Sequence, residues 1–213
     1  MDIRTRLNLI WLAADDPTRA RAEVIEALND WPHEGFHLQH YTSMHALVQI
    51  ELYTEDAEVA WKHIQGQWKT LEDSMLMRIQ ILRIEAMHLL ARAALASAPR
   101  SNDQARRLKT AEKLARRIAS ERVAWAMPFV QLINAALAYQ RDDRGAAVGL
   151  LAQAVESFDL ADIDLYEAVA RRRLGELLGD ERGQRHIDEA DAWMRKRMIK
   201  NPAAMTQMMA PGF

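Results

Sequence analysis

Ala147, Leu151 and Ala154 stand four and then three residues apart, so a small, a large and a small side chain share one stripe of a helix. The same spacing recurs at Ala20/Val24/Ala27, Ala57/Trp61/Ile64, Ala111/Ala115/Ile118 and Gly183/Ile187/Ala190. Around residues 57–64 the register is open by up to three residues, because Ala60/Ile64 fits almost as well as Ala57/Trp61. Small residues let two antiparallel helices approach closely, and the large one fills the space between them. A matching stripe on a partner helix is clearest in Leu174-Gly175 followed by Leu178. A chain patterned this way must pair its helices to bury the stripes.

The breaks between stripes are regular too. They fall at Asp15-Asp16-Pro17-Thr18, Trp31 to Gly35, Thr54-Glu55-Asp56, Ala98 to Asp103, Arg141 to Gly145 and Gly179-Asp180-Glu181. Each supplies Pro, Gly or a side-chain oxygen suited to ending one helix or capping the next. With only 8 Gly and 6 Pro in 213 residues, long helices and few turns are expected. The pattern predicts helices near 2–14, 18–30, 36–53, 55–68, 73–97, 103–120, 124–141, 144–158, 162–178, 181–197 and 202–209. No segment alternates apolar and polar residues long enough to predict a strand. Successive stripes are offset by about 36 to 54 residues, around the 34-residue tetratricopeptide period with longer helices and loops. The expected fold is all-α: a right-handed, tetratricopeptide-like solenoid of about four to five antiparallel helix pairs. It forms one domain over 1–213, and residues 198–213 form a C-terminal capping segment. There Met205, Met208 and Met209 would cover the last repeat, since a solenoid end needs sealing. The alternative is an ordinary Ala-rich helical bundle.

Several function classes are disfavoured. A net charge of −2 lacks the basic excess of a nucleic-acid binder. The absence of cysteine removes thiolate catalysis, disulfides and cysteine metal sites. The start of the chain is too charged for a signal peptide, and no run approaches the roughly 20 apolar residues of a membrane span. The most apolar stretch, Met75 to Ala98, is interrupted by Arg78, Gln80, Arg83, Glu85, His88 and Arg92. A cytoplasmic protein with no membrane and no nucleic-acid partner is expected; its oligomeric state is left open.

The last third carries a more specific signal. Arg171-Arg172-Arg173-Leu174-Gly175-Glu176-Leu177-Leu178-Gly179-Asp180-Glu181 leads to Glu189-Ala190-Asp191-Ala192-Trp193-Met194, and the chain closes on Ala210-Pro211-Gly212-Phe213. This resembles the C-terminal region of bacterial multidomain, eukaryotic-type serine/threonine protein kinases. Trp31-Pro32, Gly35 to Tyr41, Ile50 to Tyr53 and Ile84 to His88 look like earlier parts of the same helical region. The resemblance implies a tetratricopeptide-like regulatory or interaction region downstream of a kinase domain. It does not carry kinase chemistry over, because the Gly-rich loop, Val-Ala-Ile-Lys, His-Arg-Asp and Asp-Phe-Gly motifs are all missing.

Candidate chemistry is sparse. His33, His37, His40 and His45 fall within thirteen residues, yet His40 and His45 point about 140° apart on a helix, and no cysteine completes a metal set. Packing or groove-lining histidines are the simpler reading, with an enzyme built on this cluster a third possibility. Carboxylate pairs such as Asp142/Asp143 lie at helix ends, where capping explains them. Arg106, Lys109, Lys113, Arg116 and Arg117 make a basic stripe that reads as the solvated outside of a repeat helix. Trp61, Met75, Met77, Trp125 and Trp193 are expected to pack in the core.

The best partner-facing stripe is Arg78, Glu85, His88 and Arg92, which fall within about 80° of one another on an otherwise apolar helix. Asn134 and Arg141 could occupy the equivalent stripe on the helix at 124–141. Paired cations of this kind hold carboxylates; the competing reading is salt bridges between neighbouring repeats. The expectation is therefore a non-enzymatic interaction or regulatory module, kinase-associated by resemblance, that holds a protein or peptide segment in a concave groove without a cofactor. The alternative is a helical-repeat ligand-sensing domain of a bacterial regulator, distinguished by a deep closed pocket instead of an open groove.

Overall fold

The computed structural model describes residues 4, 5, 7–29, 31 and 35–213. Among these, eleven helices run in order and no strand occurs: α1 (Leu9–Ala13), α2 (Pro17–Asn29), α3 (Leu38–Tyr53), α4 (Ala57–Asp73), α5 (Gln80–Ser97), α6 (Gln104–Ser120), α7 (Met127–Tyr139), α8 (Arg144–Leu160), α9 (Asp164–Leu178), α10 (Glu181–Lys196) and α11 (Pro202–Met209). No helix is long and apolar enough to cross a membrane.

From α1 to α11, each helix packs against the next, and α1, α3, α5 and α7 also touch along their own row. Two kinds of helix follow. In the even row, α6 buries Arg107, Leu108, Ala111, Leu114, Ala115 and Ile118 on one stripe and leaves its basic face outside. Likewise α2 buries only Ala20, Val24 and Ala27, and α8 only Ala147, Leu151, Ala154 and Phe158. In the odd row, α5 is buried almost all round, from Leu82 to Ser97, which requires neighbours on both sides. The small–large–small stripes are thus the seams between the rows. In α4 the seam is Ala60, Ile64 and Leu71; Ala57 and Trp61 are only half-buried beside it.

The joints repeat a backbone solution. Asp15, Glu55, Asp142, Asp162 and Met198 each adopt positive φ between 55° and 66° just past a helix end. In every case the next residue donates its N–H five residues back: Asp16 to Trp11, Asp56 to Glu51, Asp143 to Ala138, Ile163 to Phe158 and Ile199 to Met194. This satisfies the orphan carbonyls of one helix and aims the chain at the next. Four N-termini carry an Asp or Asn side-chain cap: Asp16 accepts from the Arg19 N–H, Asp143 from Ala146, Asp180 from Gly183 and Asn201 from Ala204. The α9–α10 seam is a close one: a Cβ added at Gly175 would lie 2.5 Å from the Gly183 carbonyl oxygen.

Two expectations are corrected. The helix predicted at 73–97 is broken: Ser74 Oγ accepts the Leu76 N–H, Met75–Arg78 forms a 3₁₀ turn, Ile79 is extended, and α5 begins only at Gln80. Met75 consequently stands 65% exposed instead of packing in the core; Met77, Trp61, Trp125 and Trp193 do pack against it. The C-terminal segment also does not simply seal the last repeat. It crosses the inner row, with α11 packed against α3, α9 and α10. The Lys200 N–H reaches the Ala13 carbonyl at 2.8 Å, beside the first joint. Within the segment, Met205, Met208, Met209 and Ala210 are buried. The segment takes this path because the odd row offers long polar side chains that satisfy its main-chain carbonyls. Arg92 donates to Met208, Arg173 to Ala210 and Gln140 to Gly212, three alternate residues bound by three different elements.

Candidate functional site

Between the inner row and the C-terminal segment lies a cavity of about 490 Å³. Helix α3 contributes Tyr41, Thr42, His45 and Gln49; α5 contributes Leu82, Ile84, Glu85, His88 and Arg92. Trp125 and Phe129 close one side, Ile163, Leu165 and Tyr166 another, and Met209 of α11 supplies part of the wall, with Thr5 and Leu9 near the start of the chain. Helical spacing explains the convergence. Tyr41, His45 and Gln49 recur every four residues on α3, and Glu85, His88 and Arg92 follow at three and four on α5.

An aromatic cluster lines this space. The Phe129 ring meets Tyr166 edge-on at 4.8 Å and Phe158 at 5.1 Å, and the His88 imidazole sits 4.7 Å from Phe129 and 5.6 Å from Tyr166. Edge-to-face contacts of this kind stabilise beyond simple area burial and hold the rings in place.

The polar groups are held in unusual states. Burial lowers the basicity of Arg92, with the Tyr166 hydroxyl beside it acting in the opposite direction. Burial pushes the His45 imidazole down to about 4; the charge of Arg92 adds to this, and a hydrogen bond with Gln49 opposes it. His88 is held well below the usual imidazole range by burial first, then by Arg92 and His45. Both histidines are therefore neutral at pH 7. The Tyr166 hydroxyl is pushed up by burial. His88 Nε2 is buried with no hydrogen-bond partner.

Of the sequence candidates, Glu85, His88 and Arg92 come together on the cavity wall. Arg78 does not, because the 3₁₀ turn takes it off the α5 wheel and leaves it exposed on the surface. Arg141 lies past the end of α7 and donates to Glu112 at 3.0 Å, a surface ion pair between neighbouring elements. Asn134 is half-buried on α7 and is not part of the cavity wall. In the histidine cluster, the His37 N–H donates to His40 Nδ1 at the start of α3, whereas His45 faces the cavity; His33 lies outside the described residues. The basic stripe of α6 is exposed and partly paired, Arg106 with Asp103, Arg116 with Glu112 and Arg117 with Glu72. Sequence reasoning missed Tyr41, Gln49, Phe129 and Tyr166. The four-residue polar spacing on apolar α3 was the available signal for the first two.

The comparisons add no relative: no protein-family model, no curated protein and no solved structure matches the chain.

Proposed function

We propose that the chain is a non-enzymatic helical-repeat module, tetratricopeptide-like in the pairing of its helices, that senses a small ligand held in the inner cavity. One observation carries this reading: a half-open cavity of about 490 Å³, within the range of small-molecule sites, with a buried guanidinium and a partnerless imidazole nitrogen on its wall. Aromatic and aliphatic walls with convergent polar groups are what a ligand pocket needs, and this lining mixes both kinds of side chain. Glu85 is the only carboxylate on the described wall and sits at an exposed position, so no pair of carboxylates faces the cavity there.

The groove for a protein segment is less well supported, because residues 199–213 already occupy the inner row; a protein partner would have to displace them. Association with serine/threonine kinase signalling rests on the sequence resemblance. In that setting the module would report ligand occupancy to a kinase domain.

The test is a thermal-shift screen of small metabolites on the native chain and on Leu165→Trp, which fills the cavity from its wall. Ligands that raise the melting temperature of the first and not the second support the reading. Stabilisers that act equally on both, or none at all, sink it.

A further inference from the structure

Three arginines are buried among the described residues, and two of them are neutralised. Arg107, 8% exposed, donates to Glu58 at 2.6 Å, and Arg173, 6% exposed, donates to Glu176 at 2.6 Å. Arg92 is the most buried of the three at 2%, and among the described residues no carboxylate lies within ion-pair distance of it. Its partners are the Met208 carbonyl and the Tyr166 hydroxyl, which are dipoles and leave the charge standing. Glu85 is the nearest acid along α5, but seven residues of helix separate the two by about 10 Å, and Glu85 sits at an exposed position. A buried, unneutralised charge is costly, and an anion placed beside it removes much of that cost.

We propose that the cavity binds a monoanionic organic carboxylate with a flat apolar body. This rests on the ligand-binding reading above and names the class of ligand. The carboxylate engages the remaining N–H groups of Arg92, and a donor at His88 Nε2 completes its hydrogen bonding. The body of the ligand lies against Phe129, Tyr166 and Trp125. A single buried cation matches one negative charge. A phosphate dianion would leave a net charge beside Arg92, and a cationic ligand would add to Arg92 instead of balancing it.

Matched triplets of acid, primary amide and amine on phenylpropyl, indolylethyl and octyl bodies separate the possibilities, with binding measured calorimetrically at pH 7 on the native chain. The expected result is that the acid of at least one aromatic triplet binds ten-fold or more tighter than its amide, and that its amine binds undetectably. In Arg92→Gln the acid and amide should converge. Should that variant unfold, the acid–amide ratio in the native chain still decides. Amide binding equal to or tighter than acid binding overturns the carboxylate and leaves the ligand pocket standing. A preferred octyl acid overturns the flat body alone. No binding by any member, with no effect of Leu165→Trp on any probe, overturns both readings.

Discussion

The Arg92 guanidinium on α5 donates from Nε at 3.0 Å and from Nη2 at 2.7 Å to one acceptor, the main-chain carbonyl of Met208 on α11. A residue on the cavity wall thus latches the segment that supplies Met209 to the same wall, across 116 positions of sequence. Arg92→Met removes the latch and leaves a buried carbonyl without its donor, a penalty of about 1–3 kcal/mol. It also removes an unneutralised buried charge, which offsets part of the global cost. The local effect should therefore exceed the global one. Amide hydrogen exchange over residues 205–213 should accelerate by about 10-fold or more while α6 stays protected. Arg92→Lys, which keeps the charge and loses the paired donor geometry, should fall between.

Gly212 fixes the end of the same segment. Its φ of +96° is open to glycine and strained for other residues, and an added Cβ would stand 2.6 Å from Gln140 Nε2 and 3.1 Å from Leu95 Cβ. Gly212→Ala should lose the Gln140 bond and loosen Phe213 from Tyr139, whose rings lie 5.8 Å apart. The expected cost is about 1–3 kcal/mol, which for a domain of this size lowers the melting temperature by roughly 2–10 °C. Calorimetric melts of the two proteins decide it.

The two rows of helices were legible because their signal is local. Ala147/Leu151/Ala154 and Ala20/Val24/Ala27 are contiguous stripes, and all six residues are buried where the spacing puts them. The break at Ser74–Ile79 was not legible, since Met75, Leu76 and Met77 read as helix and only the cap at Ser74 and the extended Ile79 interrupt them. At the site, Glu85, His88 and Arg92 were found because they are polar residues on an apolar helix. Phe129 and Tyr166 were not, because aromatic residues on a helix look the same whether they line a core or a cavity. The path of the C-terminal segment depends on contacts such as Arg173 with Ala210 and Gln140 with Gly212, across 37 and 72 positions, which no local pattern encodes.

Two further glycines should respond in opposite directions. Gly66 lies on the exposed side of α4, and an added Cβ there meets nothing within 4 Å. Gly66→Ala should stabilise the protein by about 0.5–1 kcal/mol, through helix propensity alone. Gly175 is the reverse case. An alanine there would press on the Gly183 carbonyl oxygen at 2.5 Å and on Ile187 at 2.8 Å, so α9 and α10 must separate. Overpacking at a backbone contact should cost about 1–3 kcal/mol or more. Urea midpoints at unchanged slope would confirm both signs, and a stabilised Gly175→Ala would mean that the two helices do not cross there.

His45 makes folding depend on pH in a defined window. It faces Arg92 and His88 from α5, Tyr41 and Gln49 from its own helix, with Glu85 and Tyr166 also on the cavity wall. Burial and the Arg92 charge hold it neutral in the folded protein down to about 4, whereas an unfolded histidine takes a proton near 6.5. Between those values the unfolded state binds more protons, so acid favours unfolding. Its contribution is fully present above about 6.5, falls as the pH drops toward about 4, and changes no further below that. The whole window is worth roughly 3–3.5 kcal/mol at most. His88, depressed for the same reasons, acts in the same direction. Other carboxylates titrate in this range too, so the measurement is a difference. Urea unfolding of the native chain and of His45→Gln at pH 7, 6, 5 and 4 should give stability curves that converge or cross as the pH falls. Parallel curves would mean that His45 titrates normally in the folded protein.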